Sequence, residues 1–371
     1  MDFTFDEDQL LAAQTLRDLL ADHCKGGDLR AAADAGSDDD FARICAPRTA
    51  RLAELGLAGA LVPVDQGGLG LSATDFVLLA EESGRAALPE PLVAAAGVAH
   101  PLLALLAEQA EGEGRSRSGS ALESALAGTT LVLAVAPGVE TVASVAFADH
   151  VLAGRSIDEL ALFNAKDIAV APRESVDPLR RLGTVDIGAA TPVAVLRGAD
   201  AEAAWTTAHL LGTIFDAAQL VGLAARMNEI AVAYALERKQ FGKAIGSNQA
   251  VKHLLADVMV KLEFARPVVY AAAATLAPLR VAHAAVAAAD AADRAARTAI
   301  QIHGAMGYSW EVDVQFYAKR AWALAGLNGG RARHFRTVHD GLLGGLCVLG
   351  PDRLFDLPQH SPLAARGDSR S

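Results

Sequence analysis

Apolar residues recur at helical spacing over most of the chain. Leu10, Ala13, Leu16 and Leu20 mark one face of a helix near the N-terminus, and the run 50–57 predicts a second. The segment LVPVDQGGLGLS breaks that periodicity with Pro63, Gly67, Gly68 and Gly70 before Asp75 opens another apolar helix through Leu78 and Leu79. The stretch EQAEGEGRSRSGS, residues 108–120, predicts an exposed loop, because its composition offers little apolar surface to bury. Beyond it, TTLVLAV, VASVAFA, HVLAG, LALFNA, DIAVAP and TPVAVL are short β-branched or apolar runs punctuated by Gly, Asp and Pro. They predict a compact all-β segment over about 126–196. Long helices return from about residue 201. Leu210, Leu211, Ile214, Phe215, Ala218 and Val221 share one face, and Val251, Leu254, Leu255, Val258 and Leu262 a second, which Pro267 is expected to end or kink. Further helices are expected at 281–302 and 314–324. The pattern predicts an α+β, mostly α chain: a helical N-terminal domain (1–125), a small middle β domain (126–200), a helical bundle (201–357) and a disordered tail (358–371).

Composition narrows the function more than the fold. The 371 residues suffice for two or three domains, and 52% of them are apolar, so a sizeable core is expected. A net charge of -11 argues against sequence-independent nucleic-acid binding, which needs a basic surface, but leaves room for a local basic pocket around a phosphate-bearing cofactor. Cys24, Cys45 and Cys347 are odd in number, far apart and without CxxC spacing, so neither a disulfide framework nor a metal site is expected. The opening MDFTFDEDQL has no signal-peptide pattern, and the Ala-rich region is interrupted by Arg280 and His283. A cytoplasmic protein with no membrane span is the expectation.

Two stretches carry candidate chemistry. Arg238 to Gln249 reads RKQFGKAIGSNQ, where one long helix stops near Gly242 and Gly246 and the next begins near Ser247 or Asn248. Such a corner offers the Arg238 guanidinium for phosphate, Phe241 to pack on a ring and the Gln249 amide for a directional hydrogen bond, a set that suits a dinucleotide. Taken alone, these residues are better described as an interhelical turn with solvated charges. The second stretch, AIQIHGAMGY, places Gln301 ahead of a small-residue turn at Gly304, Ala305 and Gly307, where glycine permits positive φ and close approach of a ligand. His303 reads as a hydrogen-bonded structural residue, with no catalytic role.

Three ordered blocks, LAELGLAGALVPVDQGGLGLSATDFVLLAEESGRA, YALERKQFGKAIGSNQAVKHLLADV and QIHGAMGYSWEVDVQFYAKRA, give the chain its resemblance to the acyl-CoA dehydrogenase family. The resemblance implies the acyl-CoA dehydrogenase fold, with FAD lying between two subunits: its ring on the middle domain of one, its adenosine and pyrophosphate reached by the bundle of the neighbour. Arg238, Phe241 and Gln249 match the family's Arg-x-x-Phe motif and downstream Gln. Gln301, Gly304 and Ala305 match its Gln-x-x-Gly-Gly turn with one conservative departure. The other half is poor. Where the family carries Thr-Glu-Pro, this chain has Val135 and Ala136 ahead of Pro137, and Trp205, Trp310 and Trp322 all lie outside the β segment. Acyl-CoA dehydrogenation needs a carboxylate to take the α-proton. The usual glutamate position falls on Asn328, followed by Gly329 and Gly330, and the alternative one near Gly212, in LLGTIFD, so no catalytic residue is assigned.

This retention of trans-acting motifs beside lost cis-acting ones resembles the base-lacking subunit of bacterial α2β2 acyl-CoA dehydrogenases. Some of these act on CoA thioesters of steroid side chains. The resemblance then implies a second acyl-CoA dehydrogenase-type subunit as partner, an acyl-CoA substrate and an electron-transfer flavoprotein as acceptor. Two alternatives stay open: a self-sufficient homo-oligomer with an unrecognised base, for which Glu229 and Glu237 are candidates, and a flavin-free scaffold of the same fold.

Overall fold

The computed structural model describes residues 4–139 and 141–345. The predicted tail at 358–371, and the predicted bundle beyond residue 345, lie outside the described residues. Helix α1 (Glu7–His23) starts at Asp6, which shares a reciprocal capping box with Gln9. Helices α2 (Gly26–Ala33), α3 (Asp38–Glu54) and α4 (Ala73–Arg85) follow. The predicted helix at 50–57 is the end of α3, which begins twelve residues earlier, and Glu54 is its last residue. Its start is fixed by the Ser37 side chain capping Asp40 and by three aspartates in the first turn, favourable against the helix dipole.

A π-helical segment (Val93–Ala99) leads into α5 (His100–Gln109), and α6 (Gly112–Leu126) replaces most of the predicted loop at 108–120. Composition misleads there because four small or apolar residues, Ser118, Ala121, Leu122 and Ala125, suffice to bury one face, while Glu and Arg occupy the exposed one. The Ser118 hydroxyl donates to the Gly114 carbonyl at 2.7 Å, so its polarity is satisfied within the helix.

Seven short strands then form two sheets. Strands β1 (Val132–Val135), β3 (His150–Ala153), β4 (Glu159–Asn164) and β7 (Ala194–Arg197) make one, in the order β1-β3-β4-β7, with β1 and β3 parallel and the rest antiparallel. Strands β2 (Thr141–Ala143), β6 (Leu182–Asp186) and β5 (Ala169–Arg173) make the other, wholly antiparallel. Leu133, Val135, Val151, Ala161 and Phe163 fill the space between them, and the opposite face of the larger sheet, through Val132, Leu152, Leu160 and Leu162, packs on α5, α6 and the start of α7.

Helix α7 (Ala199–Glu237) is long and apolar enough to cross a membrane by length and composition, but 78% of its most apolar window is buried inside the protein, and its apolarity is that of a core helix. A two-residue hairpin, β8 (Lys239–Gln240) and β9 (Lys243–Ala244), turns the chain into α8 (Gln249–Thr275), α9 (Pro278–His303), α10 (Val314–Ala325) and α11 (Gly330–Leu343). Pro267 does not end α8. It removes one N–H, and the buried residues on either side of it, Leu262, Ala265, Val269 and Ala272, keep the helix continuous against the bundle core.

Two features lock the parts together. Helices α4 and α7 meet backbone to backbone: a Cβ on Gly84 would lie 2.2 Å from the Gln219 carbonyl oxygen, and one on Gly222 would lie 1.9 Å from that of Glu81. In addition, the buried guanidinium of Arg320, on α10, donates Nη1 to the Leu88 carbonyl at 2.8 Å and its Nε to Asp177, in the loop between β5 and β6. One side chain thereby ties the N-terminal helices, the β domain and the bundle. Breaking such a buried pair on one side strands the other charge, at a cost of about 3–5 kcal/mol.

Candidate functional site

A cavity of about 630 Å³ opens where those three parts converge. Its walls include the apolar Pro91, Val98, Ala136 and Leu324, and charged side chains reach it from all three parts: Glu90 from the N-terminal part, Arg180 from the β5–β6 loop, and Asp216, Arg320 and Arg333 from the bundle. A larger cavity of about 710 Å³, between the N-terminal helices and α7, carries charge only at exposed rim residues, Glu108 and Asp200. The smaller cavity is the candidate site, because it contains both positions where a base was sought, Gly212 and Asn328.

Neither position supplies a carboxylate, yet the cavity holds two: Glu90, which pairs with Arg48 at 2.8 Å, and Asp216. Asp216, one helical turn beyond Gly212 on α7, accepts from the Asn328 amide at 3.0 Å on Oδ2 and from the Gln219 amide at 3.2 Å on Oδ1. It lies deep in the molecule but opens on the cavity. Burial pushes its carboxyl up from 3.8 to about 7, against the opposing pull of the Arg180 guanidinium and the Asn328 hydrogen bond. Asn328 itself has φ 54°, and Gly329 and Gly330 also have positive φ, a run that Asn and Gly alone occupy readily. Sequence reasoning passed over Asp216 although it ends the very segment LLGTIFD. An acidic residue between Phe215 and Ala217, both buried, was the available signal. Glu229 pairs with Arg85 at 2.6 Å, Glu237 is exposed at the end of α7, and neither lines this cavity.

Burial, and to a lesser degree the nearby Arg333, push the imidazole of His209, another cavity residue, below its ordinary range, which leaves it neutral near pH 7. On the β side, Val135 points into the inter-sheet core, and Ala136 lines the cavity with no polar side-chain atom. Trp205 reaches the cavity from α7, with its indole N–H donated to the Glu159 carbonyl at 2.9 Å. The one aromatic of the described strands, Phe163, is sealed between the sheets.

The other sequence-predicted residues stand elsewhere, at one end of the bundle. Arg238 follows directly on α7, Phe241 and Gly242 form the turn of the β8–β9 hairpin with φ of 51° and 79°, and Gln249 opens α8 after Asn248. The expected plain helix-loop-helix corner is thus a tight hairpin. Tyr234, one turn before Arg238, stacks on His303 with ring centroids 4.2 Å apart, and His303 Nδ1 is bonded to the Ala299 carbonyl oxygen at 2.7 Å. That stack brings the ends of α7 and α9 together, so Gln301, Gly304 and Ala305 belong to the same end. All six predicted residues are exposed. Phe241 is 99% exposed, and Tyr308, in the turn that follows α9, is 84% exposed.

Comparison with known proteins gives a single direction. Residues 6–113 match the family description "Acyl-CoA dehydrogenase, N-terminal domain", and residues 212–343 match "Acyl-CoA dehydrogenase, C-terminal domain". The acyl-CoA dehydrogenase IpdE2 of Mycolicibacterium smegmatis is 33% identical over 337 residues, which cover 90% of this chain and 98% of that protein. Among solved structures, the ChsE4–ChsE5 complex from Mycobacterium tuberculosis superposes with a TM-score of 0.79 at 22% identity, covering 92% of this chain and 99% of the other. A steroid ACAD formed by Tcur3481 and Tcur3483 gives 0.76 at 22% identity over 92% and 99%.

Proposed function

This chain belongs to the acyl-CoA dehydrogenase family, whose cofactor is FAD, and we propose that it is the base-lacking subunit of a heteromeric acyl-CoA dehydrogenase. The observation that supports this most is the split between its two ends. Arg238, Phe241, Gln249, Gln301, Gly304 and Ala305 stand exposed together, and the set fits the adenosine and pyrophosphate of FAD carried by a neighbouring chain: a guanidinium for phosphate, an aromatic for packing, amides and small residues for close approach. The chain's own cavity fits the flavin ring poorly. No side-chain hydroxyl stands at Val135 or Ala136, and no strand aromatic covers the space where a ring would lie. Bound FAD supplies a hydride acceptor. In this reading the chain's residues hold the outer part of the cofactor, and the α-proton of the acyl-CoA is taken by a glutamate of the partner.

The assembly proposed is α2β2, in the cytoplasm, with an electron-transfer flavoprotein as acceptor and residues 1–125, 126–200 and 201–357 as the three domains. A steroid side-chain CoA thioester is the proposed substrate, in keeping with the shared fold of the Tcur3481–Tcur3483 steroid ACAD. Co-expression with a second acyl-CoA dehydrogenase-type chain, followed by flavin measurement, tests the reading. About two FAD per four chains supports the heteromer, about four points to a self-sufficient homo-oligomer, and none leaves a scaffold.

One observation favours the self-sufficient reading. Asp216 presents to the cavity a carboxyl whose pKa is pushed up to about 7, a value suited to proton transfer near neutrality, and two amides fix its orientation. In that reading an Asp216 carboxylate oxygen takes the α-proton. Loss of turnover in Asp216→Asn, with the partner's glutamate variant still active, would select it.

A further inference from the structure

Between helix α3 and the β domain lies a third cavity, of about 460 Å³, which the proposed chemistry does not use. It opens to solvent past Ala42, Ala46 and Thr129, and its floor, with Cys45, Leu92, Ala96 and His100, is buried. The π-helical segment Val93–Ala99 separates it from the candidate active cavity: Ala95 and Ala96 face this side, Val93, Ala94 and Val98 the other, and Glu90, Pro91 and Ser144 border both. Phe41 and Phe147, stacked with ring centroids 5.5 Å apart, form its wall where α3 meets the β domain.

The floor carries a polar atom that the chain leaves unmatched. His100 is 3% exposed, and its Nδ1 is bonded to the Ala58 carbonyl oxygen at 2.7 Å. A carbonyl oxygen only accepts, so the ring proton sits on Nδ1 and Nε2 presents a lone pair. Burial pushes the imidazole below its ordinary range, which keeps it neutral near pH 7. Among the described residues nothing hydrogen-bonds Nε2, nor the Oγ1 of Thr130, which borders the same cavity. Such atoms are uncommon in a folded core, since an unmet buried acceptor costs about 1–3 kcal/mol.

The surroundings select against a charged ligand. Among the described residues no Lys or Arg lines this cavity, and Asp149 stands exposed at its mouth, so an anion would meet carboxylates and no cation. A cation would have to shed its water beside Glu90, whose charge Arg48 already offsets at 2.8 Å. What remains is an apolar body with one hydrogen-bond donor. We infer that this cavity binds an uncharged ring compound bearing a hydroxyl group, with the rings among the apolar walls and the hydroxyl donating to His100 Nε2. Its volume lies within the ordinary range of small-molecule sites. The site is independent of the flavin and subunit assignments.

Equilibrium dialysis of the assembled protein against 2-naphthol, 2-methoxynaphthalene and 2-naphthoate at pH 7 tests this. The wild type should bind the naphthol about tenfold more tightly than its methyl ether, the scale of one hydrogen bond to a buried acceptor, and the naphthoate more weakly than the naphthol. His100→Phe, which keeps a ring and removes the acceptor, should bring naphthol and ether within about twofold of each other. Ala46→Trp, at the exposed mouth, should block entry and weaken naphthol binding by about tenfold or more, and serves if the phenylalanine variant does not fold. Equal binding of naphthol and ether by the wild type, or no binding of either, overturns the site. So does a preference undiminished in His100→Phe, or naphthol binding unchanged in Ala46→Trp. Naphthoate binding as tightly as naphthol overturns the assignment of an uncharged ligand.

Discussion

Replacing Asp216 by Asn tests the electrostatics of the cavity without removing volume. In the folded chain the carboxyl titrates at about 7, against an ordinary 3.8. Well below the lower value both states hold the proton, and Asp216 exerts no pH-dependent cost. As pH rises past it the unfolded chain ionises while the folded one resists, so stability falls until the native carboxyl ionises near 7. The full loss is about 4 kcal/mol, of which about 2–3 kcal/mol accrues between about pH 5 and about pH 8. The asparagine cannot ionise, but it accepts only on its carbonyl, so one of the donors, Asn328 or Gln219, loses its acceptor at a pH-independent cost of about 1–3 kcal/mol. Urea unfolding of wild type and variant at matched protein concentration isolates the difference, because the remaining titrating groups are common to both. The variant should gain on the wild type by about 2–3 kcal/mol across that pH range. A difference that stays flat with pH would refute the reasoning, since it would mean that Asp216 titrates as an ordinary carboxyl.

The chain purified alone should bind little FAD and aggregate, since α8 turns Met259, Val260 and Phe264 outward, the last 75% exposed; absorbance near the flavin band and light scattering check both. Arg238→Ala should lower flavin retention in the complex while moving the unfolding midpoint little, as expected of an exposed residue whose side chain makes no bond among the described residues; unchanged flavin occupancy would remove Arg238 from the cofactor. Asn328→Ala should leave turnover of the assembled enzyme within a few fold, whereas replacing the partner's glutamate should cost about a hundredfold or more; the reverse ranking would place the chemistry in this chain.

How much of this was legible in the sequence differs by element. The β runs and the long bundle helices follow from alternation and helical spacing, signals that survive because each element buries one face. Helix α6 was not legible, because Ser118 and Gly114 count as loop formers until a neighbouring sheet offers them a surface: a Cβ on Gly114 would sit only 3.4 Å from Ala194. Pro267 was misjudged for the converse reason, that packing on both sides outweighs one missing hydrogen bond.

The same division runs through the site. Arg238 to Gln249 form one continuous stretch and Gln301 to Ala305 another, so the sequence alone grouped these residues, and it put Asn328 and Gly212 at the positions where the family resemblance looks for a base. Only the tertiary structure decided what the cavity contains instead. Asp216, Asn328 and Arg180 lie on three different segments, and what matters about Asp216 is set by surroundings that no local pattern encodes: depth from water, which raises the carboxyl, and the Arg180 charge and the amides of Asn328 and Gln219, which hold it in place. Spacing along the chain fixes which side chains share a helix face, but the cost of a charge depends on what lies within a few ångströms in every direction, and that is a property of the packed fold.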